Sequence, residues 1–341
     1  MKKQTIIVSH SSAYDRESEE LFEKIEARNY DDSCCFLCGN EIKATSRSVE
    51  HVIPKWLQRK YNLWNQKLTL LNGTKLPYRS LTIPCCKKCN NEYLRPIEDK
   101  IKLYVDAGFD KFKRIDRTTL YYWLSKIFYG ILYKELFLLV DRKNPMAGQI
   151  LTPDFLDQFK AHYLFMQGIR KKHQLKGFLP ASIFIFRAQE LKNRDDQWDI
   201  VDNIPGMTLG LRMNKIAVVA ALQDGGAQKS FRGLYGDFSR VNLHPIQFRE
   251  VFSQIAYSSI LFNRTPKYVS FANGKVATTI QMPLGGLSSK PLFDHWDNSV
   301  YSKLLSHYTG LPLDIVNPQP GLVRSWIRNN EGKLYFIDAN K

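Results

Sequence analysis

Cys35-Phe36-Leu37-Cys38 and Cys86-Lys87-Lys88-Cys89 frame the segment Ser48-Val49-Glu50-His51-Val52-Ile53-Pro54, and Asn90-Asn91 follows the last cysteine directly. All six cysteines of the 341-residue chain fall between positions 34 and 89. Each C-x-x-C turn delivers two thiolates from one tight loop, so the pair supplies the four soft ligands of a tetrahedral zinc site. Cys34 and Cys85 each precede a ligand and are read as bystanders; a shifted register would bring either into the site. The Glu50-His51 dipeptide is a different signal. It sets a hard oxygen ligand beside a potential base on a scaffold that the metal stiffens.

In this order the residues resemble the HNH (His-Me finger, ββα-metal) endonuclease family. That family's pattern runs C-x-x-C, Asp/Glu-His-x-x-Pro, then C-x-x-C followed at once by His or Asn. Here it is Cys35/Cys38, Glu50-His51-x-x-Pro54, Cys86/Cys89 and Asn90, covering residues 31 to 105. The resemblance implies hydrolysis of DNA phosphodiester bonds, with structural Zn²⁺ on the four cysteines and Mg²⁺ or Mn²⁺ on Glu50 and Asn90. The chemistry asks for the same groups. An imidazole takes a proton from water at neutral pH, the role expected of His51. A carboxylate and an amide oxygen suit a hard divalent ion. Asn91 takes the place of Asn90 if the following helix starts one residue later. Neighbours on a strand point to opposite faces, so a kink or bulge near Pro54 is expected if Glu50 and His51 serve one site. The chain departs from the family twice. The usual central Asn would fall at Leu81 or Ser80, with Asn72 the nearest candidate for its loop-bracing role, and 34 residues separate His51 from Cys86.

Composition bounds the rest. The length admits two domains with real cores, and 44% hydrophobic content argues against disorder. Cysteines claimed by a metal call for no disulfides, which points to a reducing cytosol. The apolar run near the N-terminus, Ile6-Ile7-Val8, is too short for a signal peptide. Residues 120–140 are the most apolar stretch but contain Lys126, Lys134 and Glu135, the pattern of an amphipathic core helix and not of a membrane span. Tyr121-Tyr122-Trp123 on it is read as core before stacking platform. The net charge of +16 and pI near 9.5 fit a polyanion partner, DNA. Residues 1–110 hold 18 Lys/Arg against 15 Asp/Glu, leaving 31 against 18 beyond. Most of the electrostatic grip is therefore expected after residue 110, with Arg170-Lys171-Lys172 and Lys111, Lys113, Arg114 and Arg117 as its densest groups. The other histidines, His10, His162, His173, His244, His295 and His307, have no ligand spacing.

The expected fold class is α+β: a helical lead-in over 1–30, a small zinc-stabilised ββα-metal nuclease module over 31–110, and a larger mixed α+β domain of unknown fold over 111–341. An acidic helix is expected over 15–28 and a strand over 48–53. A helix opens near Lys88, is kinked or stopped at Pro96, and a second stretch runs to about 107. Beyond, helices are expected over 120–140, from a Thr152 N-cap with Pro153 to about 167, and over 245–262. Strands are expected at 182–187 and 208–222, the latter a hairpin turning at Met213-Asn214. Asn273-Gly274 marks another hairpin and residues 330–332 a last one. The leading functional expectation is an HNH DNA endonuclease, on cellular logic a bacterial defence or restriction-like effector. Two alternatives stand beside it: a zinc-stabilised DNA-binding protein without cleavage, and an effector whose C-terminal domain senses a regulatory protein or small-molecule signal.

Overall fold

Burial alternates along Arg47–His51, as a strand with one face on a core requires, and is continuous over Ile83–Cys85 in Thr82–Cys86; these segments pair antiparallel. A computed structural model describes residues 6–9, 28, 30–273, 276–284 and 289–339. The chain is mixed α+β. Its first strands are β1 (Ile6–Ser9), β2 (Arg47–His51), β3 (Lys67–Thr69), β4 (Lys75–Pro77), β5 (Thr82–Cys86) and β6 (His173–Leu175). Then come β7 (Ser182–Arg187), β8 (Trp198–Asn203), β9 (Thr208–Met213), β10 (Ile216–Ala221), β11 (Tyr268–Asn273) and β12 (Val276–Gln281). Of the expected helix over 15–28, all but Arg28 lies outside the described residues.

The chain divides into two compact units, each discontinuous in sequence. Unit 1 comprises Met1–Leu103, Thr118–Phe178 and Pro266–Met282, and unit 2 the remainder. The expected contiguous domain over 111–341 is thus shared between the units. The reason is strand pairing: β11 and β12 form a sheet in the order β1-β11-β12-β6, with β1 near the start of the chain and β6 just past its middle.

Unit 1 also holds the β2–β5 and β3–β4 pairs and the helices α1 (Lys55–Lys60), α2 (Arg95–Asp106, up to Leu103) and α3 (Arg117–Glu135, from Thr118 onward). Helix α3 differs from the amphipathic expectation. Nearly every residue from Leu120 to Tyr133 is buried, Tyr121 and Trp123 among them, so no stacking platform is offered there. Two of its buried polar groups have strong partners: Lys126 meets carboxylates, and the Tyr129 hydroxyl accepts from Arg28 (2.6 Å). No helix among the described residues is long and apolar enough to cross a membrane. Thr152 caps α4 (Pro153–Asp157), its hydroxyl accepting from the Phe155 N–H (3.3 Å), but the helix breaks before α5 (Lys160–Met166).

In unit 2 the antiparallel sheet β7-β10-β9-β8 packs against α6 (Pro245–Leu261) through Val201, Val219, Phe248, Phe252 and Ile255. Gly210 is required on β9, since a Cβ there would come within 2.8 Å of the Phe252 ring. The turn after β9 uses Asn214 at φ 53°, a conformation Asn tolerates better than most residues. Strands β11 and β12 pair antiparallel, as Asn273-Gly274 suggests, and Arg328 bridges Leu334 around the last turn.

Candidate functional site

The first knuckle closes because Gly39, at φ 71°, lets the chain reverse after Cys38; its N–H donates to the Cys35 carbonyl (2.8 Å). Tyr163 and Gln167 hold the knuckle from outside, both donating to the Leu37 carbonyl (2.9 and 3.0 Å). Strand β5 brings Cys86 opposite Arg47, and the Cys89 N–H points at the Cys86 sulfur (3.4 Å). The sulfurs of Cys35, Cys38, Cys86 and Cys89 consequently lie within 4.8 Å of one another, a group able to hold a metal ion. A tetrahedron of ~2.3 Å metal–sulfur bonds has edges of about 3.8 Å, so the set fits with small adjustments. The hydrogen bonds of Cys38, Cys85, Cys86 and Cys89 hold the Cys35 thiol well below its ordinary range, while the contact with Cys35 pushes Cys38 and Cys89 up. Buried thiols turned on one thiolate are an arrangement a soft cation relieves. Cys34 stands apart beside Ser33; Cys85 does not join the four, although its thiol lies 3.9 Å from Cys35.

The same strand pair carries the Glu-His dipeptide, with Glu50 opposite Ile83 and His51 opposite Thr82. After Cys89 the chain makes a π-helical turn over Cys89–Leu94 before α2, a wide turn that recurs at functional sites. Pro96 sits in the first turn of α2, so it neither stops nor separates two helices. From the π-turn the Asn90 amide nitrogen donates to the Ser48 hydroxyl (2.9 Å) and the Val49 carbonyl (3.2 Å), which leaves its oxygen as a potential ligand. Asn91 is exposed. Asn72 braces its own turn: it donates to the Val140 carbonyl (2.8 Å) and accepts from the Thr74 N–H (3.0 Å).

Glu50 is 5% exposed and faces the ammonium of Lys126, which is 1% exposed. Lys126 also reaches Glu98 Oε1 (2.8 Å) and the carbonyls of His51 (2.9 Å) and Val52 (3.2 Å). Burial pushes the Glu50 carboxyl up to about 7 against the opposing pull of Lys126. Burial would lower the Lys126 ammonium, but Glu50 and Glu98 outweigh it and hold it above its ordinary value. His51 takes a different neighbour. Its ring lies at 23° to that of Trp64 with centroids 6.5 Å apart, and Trp64 is 46% exposed. Burial, then Lys55 and Lys126, lower the imidazole to about 4, so it is neutral at pH 7. Strand β2 ends at His51 and Pro54 opens α1; among the described residues no hydrogen bond joins the His51 ring to Glu50 or Asn90.

Lys126, Glu98 and Trp64 were not singled out as site residues by the sequence. Only Lys126 left a trace there, as a lysine inside the most apolar stretch. Arg170, Lys171 and Lys172 belong to unit 1, directly after the turn that braces the first knuckle. The charge follows them: unit 1 carries 29 Lys/Arg against 17 Asp/Glu, a balance of +12, and unit 2 carries 20 against 16, or +4. Of the +13 beyond residue 110, +7 lies in the unit that holds the cysteines and +6 in the other. Neither protein-family models nor curated proteins nor solved structures match this chain.

Proposed function

We propose that the chain is a metal-dependent DNA endonuclease of the HNH type, with Cys35, Cys38, Cys86 and Cys89 holding structural zinc. One observation carries the reading. Strand β2, with Glu50 and His51, is paired to the strand that delivers Cys86 and is tied to Asn90 directly after Cys89. Sulfur knuckles and the three candidate catalytic groups therefore form one connected piece, and four thiolates select zinc over hard ions. Glu50 and Asn90 would hold Mg²⁺ or Mn²⁺ through oxygen. When bound, such an ion neutralises charge on the phosphate and on the leaving 3′ oxygen.

The neutral His51 imidazole accepts a proton from water as its oxygen bonds to phosphorus and the bond to the 3′ oxygen breaks. The leaving oxygen takes its proton from solvent, and His51 returns its own to solvent. The +12 balance of unit 1 supplies sequence-independent attraction to the phosphate backbone. Incubating the zinc-loaded full chain with supercoiled plasmid and Mg²⁺ or Mn²⁺ tests the reading: nicked or linear product is expected, and none with EDTA. A protein that binds the plasmid without cutting it supports the second reading, a zinc-stabilised DNA-binding protein. The ion pair that Glu50 makes with Lys126 favours that alternative.

A further inference from the structure

We propose that Trp64 and the basic residues around it form a binding surface for single-stranded DNA beside His51; the inference rests on the DNA reading above and needs no divalent ion. Between Glu50 and Glu92 the chain carries eight Lys/Arg and no Asp/Glu. Folding leaves these cations at the surface. Lys55 and Arg59 lie about one turn apart on the exposed side of α1, and Lys55 is one of the two cations that act on the His51 ring. In the β3–β4 hairpin Leu68 and Leu76 are cross-strand partners and both are buried, so Lys67 and Lys75 share the outer, exposed face.

Trp64 sits in the turn that joins α1 to β3. Leu63 anchors that turn: it is wholly buried, and its N–H donates to the Gln58 carbonyl (2.8 Å). From the next strand pair's end Arg79 donates to the Trp64 carbonyl (3.3 Å) and to the Asn65 amide oxygen. The indole is nonetheless 46% exposed, with its ring beside that of His51. A large apolar ring held at the surface by a braced turn, among cations, is a platform on which a base can stack. Cations that follow a phosphate backbone, together with an aromatic ring for its bases, are the combination that single-strand binding uses. A duplex would engage the cations, but its bases are already stacked on one another, so Trp64 selects the unpaired strand.

The test follows the zinc-loaded full chain, without added divalent ion, by fluorescence anisotropy on labelled oligothymidine and on a duplex of equal length. Tighter binding of the single strand is expected. Trp64→Ala should weaken it roughly 5- to 100-fold and leave duplex binding nearly unchanged, while Trp64→Phe, which keeps an aromatic face, retains most of the affinity. Replacing Lys67 and Lys75 together with Gln should lower the log–log salt slope on the single strand by up to about 1.4. Should Trp64→Ala fail to fold, quenching of tryptophan fluorescence by oligothymidine reads the same contact: Trp64→Phe should lose part of it, and equal quenching refutes stacking. Equal loss on strand and duplex, or loss on neither, also refutes it. A wild type that prefers the duplex, or oligouridine, overturns the choice of substrate. Binding to no nucleic acid overturns the DNA reading as well, whereas single-strand binding without cleavage in Mn²⁺ leaves this surface standing and removes only the nuclease.

Discussion

Cys85 and Cys86 are neighbours on β5, both within reach of the cysteine cluster, yet replacing each with serine should have different consequences. Cys86 is one of the four sulfurs within 4.8 Å of one another; Cys85 is not. Structural zinc contributes roughly 10–16 kcal/mol in small zinc folds, so an equal share per ligand is about 2.5–4 kcal/mol. A serine hydroxyl stays protonated and replaces that share poorly. Cys86→Ser should weaken zinc binding ~10²–10³-fold, since each 1.4 kcal/mol is about tenfold. Cys85 is fully buried; its sulfur accepts from the Cys35 thiol (3.9 Å) and its own thiol donates to the Cys86 carbonyl (3.5 Å). Cys85→Ser alters weak hydrogen bonds worth about 1 kcal/mol and should keep one zinc per chain. Elemental analysis, competition with a chromophoric chelator and melting curves read both variants. If Cys85→Ser loses zinc and Cys86→Ser keeps it, the ligand register is shifted by one. If the wild type carries no metal, the four-sulfur site itself is wrong.

Three further outcomes are expected. His51→Ala should slow plasmid cleavage about 10²–10⁴-fold at unchanged zinc content and DNA affinity, and wild-type cleavage by this variant would remove His51 from catalysis. Replacing Arg170, Lys171 and Lys172 with Gln should reduce the log–log salt slope of duplex binding by up to about 2.7 if all three touch phosphate; an unchanged slope places the grip elsewhere. Glu250 in unit 2 is buried, and that burial pushes its carboxyl from 4.5 up to about 7, against the Ser325 hydroxyl and the Trp326 N–H that donate to it. The unfolded chain therefore loses this proton first, and the stability contribution falls as pH rises from about 4.5 to 7 and is flat above. Glu250→Gln should gain up to about 3 kcal/mol on the wild type between pH 4.5 and 7.5 in denaturant titrations, and no pH-dependent difference would contradict the burial argument.

What was legible in the sequence was local. The two knuckles, the Thr152 cap, the strand Ser182–Arg187, the positive-φ turn at Asn214 and the helix from Pro245 each announce themselves within a few residues, because turn and cap chemistry acts at that range. The division into units was not legible, because it is fixed by pairings such as Ile6 with Tyr268 and Ala277 with His173, which no short window encodes.

The same contrast decides how the candidate site is understood. Glu50 and His51 sit side by side in the sequence, which invites one shared role, but strand alternation gives them separate environments. Glu50 turns to a lysine and His51 to an exposed tryptophan. The lysine arrives from 75 positions downstream to meet the His51 carbonyl, on a helix whose polar residues read as a solvent-facing stripe until their buried partners are known. A buried ammonium is tolerated only where oxygens surround it, so Lys126 in an apolar helix was already a demand for carboxylates somewhere in the fold. Two carboxylates meet that demand, one from the strand that carries His51 and one from the helix that follows the last cysteine. Whatever chemistry Glu50 performs, it performs with Lys126 attached.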